Sequence, residues 1–118
     1  MYKRQKVINA QVGTTPTTFS FTTGADGTQN YEITGSDRGN TFSASLDPTI
    51  TVYEGDTITF DNTATRVNHP MYIRVSDGGA SVSSPAASGE GTATTSWTPT
   101  TAGTYYYCLL YTSDAADD

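Results

Sequence analysis

One cysteine and one histidine are all that this 118-residue chain carries of those two residue types. A single cysteine cannot close an internal disulfide. A single histidine leaves no second imidazole to share a metal ion, and no Gly-x-Ser-x-Gly elbow surrounds Ser81, Ser83, Ser84 or Ser88. Nucleophilic catalysis is therefore not supported, and the chain is not expected to be an enzyme. Basic residues are scarce too: Lys and Arg number 6 against 12 Asp and Glu, a net charge of −6, with no basic patch. That balance argues against nucleic acid as a partner. No apolar run approaches the roughly 20 residues of a membrane-spanning helix, and no long stretch repeats at the helical period. What is abundant is Thr, Ser, Gly and Tyr, the composition of one all-β domain with many short strands and turns.

The strongest periodicity lies between Asp47 and Val75. Ile50 and Val52 alternate with Thr49 and Thr51, the pattern of a half-buried strand. Tyr53-Glu54-Gly55-Asp56 reads as a turn, since Gly55 tolerates φ > 0 and an Asp side chain can bond nearby backbone. Ile58 and Phe60 alternate with Thr57 and Thr59. Asn62–Asn68 is a polar loop, and Met71, Ile73 and Val75 then alternate with Tyr72 and Arg74. The histidine, His69, thus sits at a loop-to-strand junction at one end of a sheet.

Elsewhere Lys6–Val12 is a weak strand and Thr17–Thr22 a better one, followed by a turn over Gly24–Gln29. Tyr31–Ile33 opens another strand. Thr41–Ser45 reads as an edge strand with Phe42 and Ala44 on one face. Ser76–Glu90 is a long small-residue loop, Gly91–Pro99 a strand, and Thr104–Tyr107 the start of a last one. Seven or eight short strands are expected. Ile50, Val52, Ile58, Phe60, Ile73, Val75, Trp97 and Tyr105 should be buried. Asp56 and Asp61 read as turn residues and not as a catalytic pair. Trp97 and Tyr105 read as core; Tyr106 and Tyr107 stay open between core and ligand stacking. Asp26 and Asp77, each beside glycine, lack the spacing of an EF-hand.

Three segments, Pro48–Phe60 (PTITVYEGDTITF), Asn68-His69-Pro70, and Trp97–Tyr107 (WTPTTAGTYYY), together resemble the cupredoxins, the blue-copper β-sandwich family. The resemblance implies a Greek-key β-sandwich, copper as cofactor, and electron transfer or copper holding, with a redox protein as partner and a periplasmic, extracellular or virion-surface location. It implies that His69 is a copper ligand, joined in the family by a Cys, a second His and usually a Met from one loop after the last long strand. Two imidazoles and a thiolate with a weak axial thioether suit both copper oxidation states. This sequence departs from the pattern. No His or Met follows Tyr107, and Pro70 stands where small electron carriers often have Asn. The family's cysteine falls at the place of Leu109, so Cys108 is one residue out of register, and such a slip turns a side chain to the other face. The competing expectation is a non-metal sandwich serving as a structural or adhesion module of a multidomain extracellular or virion surface protein.

The two ends stand apart. Cys108–Asp118, CLLYTSDAADD, is what read-through of a transposase sequencing adapter encodes. Met1–Gln5, MYKRQ, is what the same mosaic end encodes on the opposite strand. Both are expected to be adapter-derived, with Met1–Gln5 and Asp114–Asp118 exposed and poorly packed, though a strand could run a few residues into Cys108–Leu110. Like a fusion scar, they are set aside in fold reasoning. The expected organisation is then 1–5 adapter-derived, 6–27 a linker, the end of a preceding domain or an extra strand, 28–107 an incomplete cupredoxin-like sandwich lacking its last strand and ligand loop, and 108–118 an adapter-derived tail.

Overall fold

The computed structural model of the chain describes residues 6–13, 15–26, 30–65, 70–76, 79–83 and 85–109 and, of Asp26 and Leu109, the backbone only. Among the described residues there are nine strands and no helix: β1 (Val7–Gln11), β2 (Thr18–Asp26), β3 (Asn30–Ser36), β4 (Thr41–Leu46), β5 (Ile50–Tyr53), β6 (Thr57–Asp61), β7 (Met71–Arg74), β8 (Thr94–Trp97) and β9 (Gly103–Leu109). They form a four-stranded sheet in the order β5-β1-β9-β7 and a five-stranded sheet in the order β4-β3-β2-β6-β8. Each sheet is mixed, because β1 runs parallel to β5 and β2 runs parallel to β6 while the other pairings are antiparallel. The chain is an all-β sandwich.

Period-two alternation decides which side chains meet between the sheets. Ile8, Ile50, Val52, Met71, Ile73 and Tyr107 come from the four-stranded sheet, and Phe21, Tyr31, Ile33, Ile58 and Phe60 from the other; none is more than 2% exposed. Aromatic rings join the layers. Phe60 lies 5.4 Å from Phe21 and 5.9 Å from Tyr107, and Tyr107 lies 5.9 Å from Tyr31, centroid to centroid. Burying one large apolar side chain is worth about 1.5–3 kcal/mol, so this shared layer holds the two sheets together.

Residues 6–27, open between linker, preceding domain and extra strand on sequence, contribute a central strand to each sheet. β1 is bonded on both sides, to β5 and β9, and β2 to β3 and β6. β2 continues through Gly24 to Asp26, beyond the point where the turn was expected. β9 runs into Cys108–Leu109, as an open strand end allows. Met1–Gln5 and Asp114–Asp118, expected to be exposed, lie outside the described residues.

Three sequence expectations need correction. Val75 is 48% exposed and not core. The strand ends at Arg74, and a turn closed by Gly79 N–H on Ser76 O carries the chain outward. Val82, 4% exposed, fills the vacated layer instead, with its N–H donating to Ile73 O. Ala44 does not share a face with Phe42. It has φ 48° at a β-bulge where the β3–β4 register shifts, so Phe42 packs on the core while Ala44 is exposed. Such bulges twist an edge strand away from pairing. Tyr105 is half-buried, edge-on to Trp97 at 4.8 Å between centroids.

Candidate functional site

The end of the sandwich where β7 begins and β9 finishes is the place the sequence singles out. His69 itself lies outside the described residues, as do Asp77 and Ser84, and of Asp26 only the backbone is described. The described chain resumes at Pro70, and three bonds fix the start of β7. The Tyr31 hydroxyl donates to Pro70 O at 3.1 Å, reaching across from the opposite sheet. Gly91 N–H donates to Met71 O at 3.0 Å, and Ile73 N–H donates to the Glu90 carboxylate at 2.7 Å. Tyr31 is itself clamped: its N–H donates to Asp47 Oδ1 at 2.8 Å, and its carbonyl accepts Asp47 N–H at 2.9 Å.

Tyr107 makes a parallel reach, its hydroxyl donating to Pro48 O at 2.6 Å. Burial, and then the nearby Asp47 carboxylate, push this phenol far above its ordinary ionisation range. It is therefore a permanent donor, and the carbonyl it meets cannot take its proton. The chain leading from β6 toward His69 is pinned by a buried polar cluster. Thr23 Oγ1 donates to Asn62 Oδ1 at 2.7 Å and lies 3.0 Å from Thr65 Oγ1, and Asn62 Nδ2 donates to Thr95 Oγ1 at 3.0 Å. A satisfied buried network of this kind fixes one arrangement of its loop.

The register across β7 and β9 decides the place of the cysteine. Met71 pairs with Leu109, Tyr72 with Cys108 and Ile73 with Tyr107. Directly opposed residues share a face, so Tyr107 stands with buried Ile73 on the core side and Cys108 stands with Tyr72 on the other. Cys108 is 6% exposed, yet it is on the wrong side of its strand to join a ligand set facing the core. Among the described residues no group of three or more His, Cys, Asp or Glu could hold a metal ion. With one His and one Cys in the whole sequence, the donors present do not fit a type 1 copper site.

The remaining candidates resolve into turn and edge chemistry. Asp56, 0% exposed, accepts Tyr53 N–H at 2.7 Å and Thr17 N–H at 2.8 Å. Arg38 grips the same carboxylate with two bonds, Nε at 3.0 Å and Nη2 at 2.7 Å, while its guanidinium lies 4.2 Å from the Tyr53 ring centroid. Burial pushes this carboxyl up, but the Arg38 bonds and the two backbone N–H groups prevail and hold it below the usual carboxylate range. Asp61 caps its own loop through the Thr63 hydroxyl and N–H, which lowers it as well. Among the described residues neither faces a second carboxylate or an imidazole, and both bond nearby backbone as turn residues do. Ser81 accepts a bond from Arg74 at 2.8 Å.

Two carboxylates escaped sequence reasoning. Asp37 takes the N–H groups of Gly39, Asn40 and Thr51 at 2.9, 2.8 and 2.7 Å, and Glu90 takes Ile73. Their partners on the edge strands, Thr51 and Ile73, are backbone groups 14 and 17 residues away, which no motif encodes. The local signals are the turn at Asp37, whose carboxylate takes the N–H groups two and three residues on, and the Gly-Glu-Gly setting of Glu90. The chain matches no family model, no curated protein and no solved structure.

Proposed function

We propose that this chain is the sandwich of a cupredoxin-type Greek-key domain that binds copper through His69 and serves electron transfer or copper holding. The observation that supports it most is the antiparallel pairing of β9 with β7, which sets Tyr107 beside Ile73. Past Tyr107, its last residue before the expected adapter, β9 heads toward the start of β7, two positions after His69. Whatever sequence follows β9 in the parent protein would leave the sheet next to the histidine junction, and the resemblance expects the remaining ligands there. His69 would supply one imidazole, and when bound the copper would supply a one-electron couple. Cys108 is not part of this set, because it shares a face with Tyr72. Tyr31, Gly91 and Glu90 hold the backbone of the junction in place.

The experiment compares the purified 118-residue chain with a version carrying the parent gene's own sequence beyond Tyr107, each titrated with Cu(II). A strong thiolate-to-copper absorption band is expected only in the extended protein and should vanish in His69→Ala. An extended protein that stays colourless, with no Cys, His and Met in the added stretch, would favour the second reading. That reading is a non-metal structural or adhesion module of a multidomain extracellular or virion surface protein. It draws support from the use of Asp37, Asp56 and Glu90 as backbone acceptors, with no acid–base pair formed among them.

A further inference from the structure

The outward edge of β7 is closed by the chain that follows it. Val75 N–H donates to Ala80 O at 2.9 Å, Val82 N–H to Ile73 O at 3.1 Å and Gly91 N–H to Met71 O at 3.0 Å. Between Val82 and Gly91 the Glu90 carboxylate takes Ile73 N–H at 2.7 Å. Ile73 is thus clasped twice, at its N–H by Glu90 and at its C=O by Val82. The presenting turn is built for one conformation. Gly89 and Gly91 have φ 72° and 77°, and a Cβ on them would run into Thr94 O and the Tyr72 hydroxyl.

The same segment covers aromatic surface. Val82 and Pro85 wall a cleft of about 160 Å³ whose other sides are Val75, Trp97 and Tyr105, and Trp97 Nε1–H donates to Pro85 O at 2.8 Å. Yet little anchors it hydrophobically. Val82 alone is fully buried, Pro85 and Ala87 are half-buried, and Ser81, Ser83, Ala86, Ser88 and Gly89 are exposed. A segment with few buried apolar contacts and solvent-reachable backbone bonds is drawn from the low end of local stability.

We propose that residues 79–83 and 85–93 form a strap whose seam with β7 opens while the sandwich stays folded, that Glu90 is the latch of this seam, and that opening uncovers Trp97. The proposal stands apart from copper. The sequence has one tryptophan, so its fluorescence reports the opening without a label. In Glu90→Ala, acrylamide quenching of Trp97 should roughly double and exchange of the Ile73 amide should rise about tenfold or more, with the Thr51 amide on the opposite edge unchanged. Glu90→Gln keeps an acceptor oxygen and should fall between. Unchanged quenching and exchange in Glu90→Ala would overturn the proposal, and so would an equal rise at Ile73 and Thr51. Should Glu90→Ala fail to fold, native-state exchange of the unmodified chain in low urea decides. Val82 and Gly91 amides should open together at a lower denaturant-independent cost than Ile58. Exchange of all three only through global unfolding would overturn the latch.

Discussion

The two outer strands of the four-stranded sheet, β5 and β7, present the same problem and are closed by different means. An exposed sheet edge invites pairing with another chain. On β5, Thr51 O accepts Arg38 N–H at 3.1 Å, Thr51 N–H meets Asp37, and Tyr53 N–H meets Asp56. The carboxylates involved are 7% and 0% exposed, and each holds several donors. On β7 the carboxylate is half-buried Glu90, it takes one backbone N–H, that of Ile73, and the rest of the seal is a chain of small residues. A buried carboxylate that is bonded from several directions is rigid, because releasing any one donor strands the others. Opening the β7 seam breaks the one Glu90 bond and three backbone bonds, and leaves the strap its two-way Ser88–Ser96 pairing to β8. The lesson is that the number of donors per carboxylate, more than its distance to any one of them, separates a fixed edge from a movable one.

The comparison breaks most visibly at Asp56. Asp56→Ala leaves Thr17 N–H and Tyr53 N–H without their acceptor and Arg38, whose side chain is 21% exposed, without its carboxylate, and should cost the most of the three, about 2–4 kcal/mol for stranded backbone donors and a lost charge-assisted bond. Urea unfolding at an unchanged slope would measure it; a loss near zero would mean the β5 seal is ornamental. Asp37→Ala should cost less, about 1–3 kcal/mol for stranded backbone donors, and Glu90→Ala about 1 kcal/mol or less in global stability. Equal losses at Asp37 and Glu90 would erase the distinction between the edges.

Acid sharpens the same contrast. The folded Asp56 carboxyl lies below its unfolded value, so its contribution is fully present above about pH 4 and is lost as pH falls through the folded value. Asp56→Asn should flatten the acid limb of the stability curve, read by thermal melts across the acid range. At the other extreme the buried Tyr107 phenol lies above its unfolded value. Its contribution is complete below about pH 10 and fades above it, where the unfolded chain ionises and the folded one does not. Tyr107→Phe should remove that alkaline loss, at a smaller cost of about 1 kcal/mol for the Pro48 hydrogen bond.

Much of the fold was legible because alternation is a local signal. Ile50, Val52, Ile58, Phe60, Ile73 and Trp97 announce their faces through their immediate neighbours, and all are buried. Val75 shows the limit, since alternation cannot see that the chain leaves the sheet at Arg74. The central positions of β1 and β2 were hidden for a related reason: parallel pairing with β5 and β6 joins residues about 40 apart, as in Ile8 with Ile50 and Phe21 with Phe60. At the site, the out-of-phase position of Cys108 followed from period two alone. The carboxylates on backbone N–H groups did not, because a backbone donor leaves no mark on sequence.

Amide exchange of Thr51 and Ile73 in the unmodified chain measures the fixed edge and the latched edge at once. Each N–H donates to a carboxylate at 2.7 Å, so bond length alone predicts equal protection. Ile73 is expected to exchange through local opening, at least about tenfold faster than Thr51 after correction for intrinsic rates. Equal protection of the two amides, or a slower Ile73, would contradict that expectation.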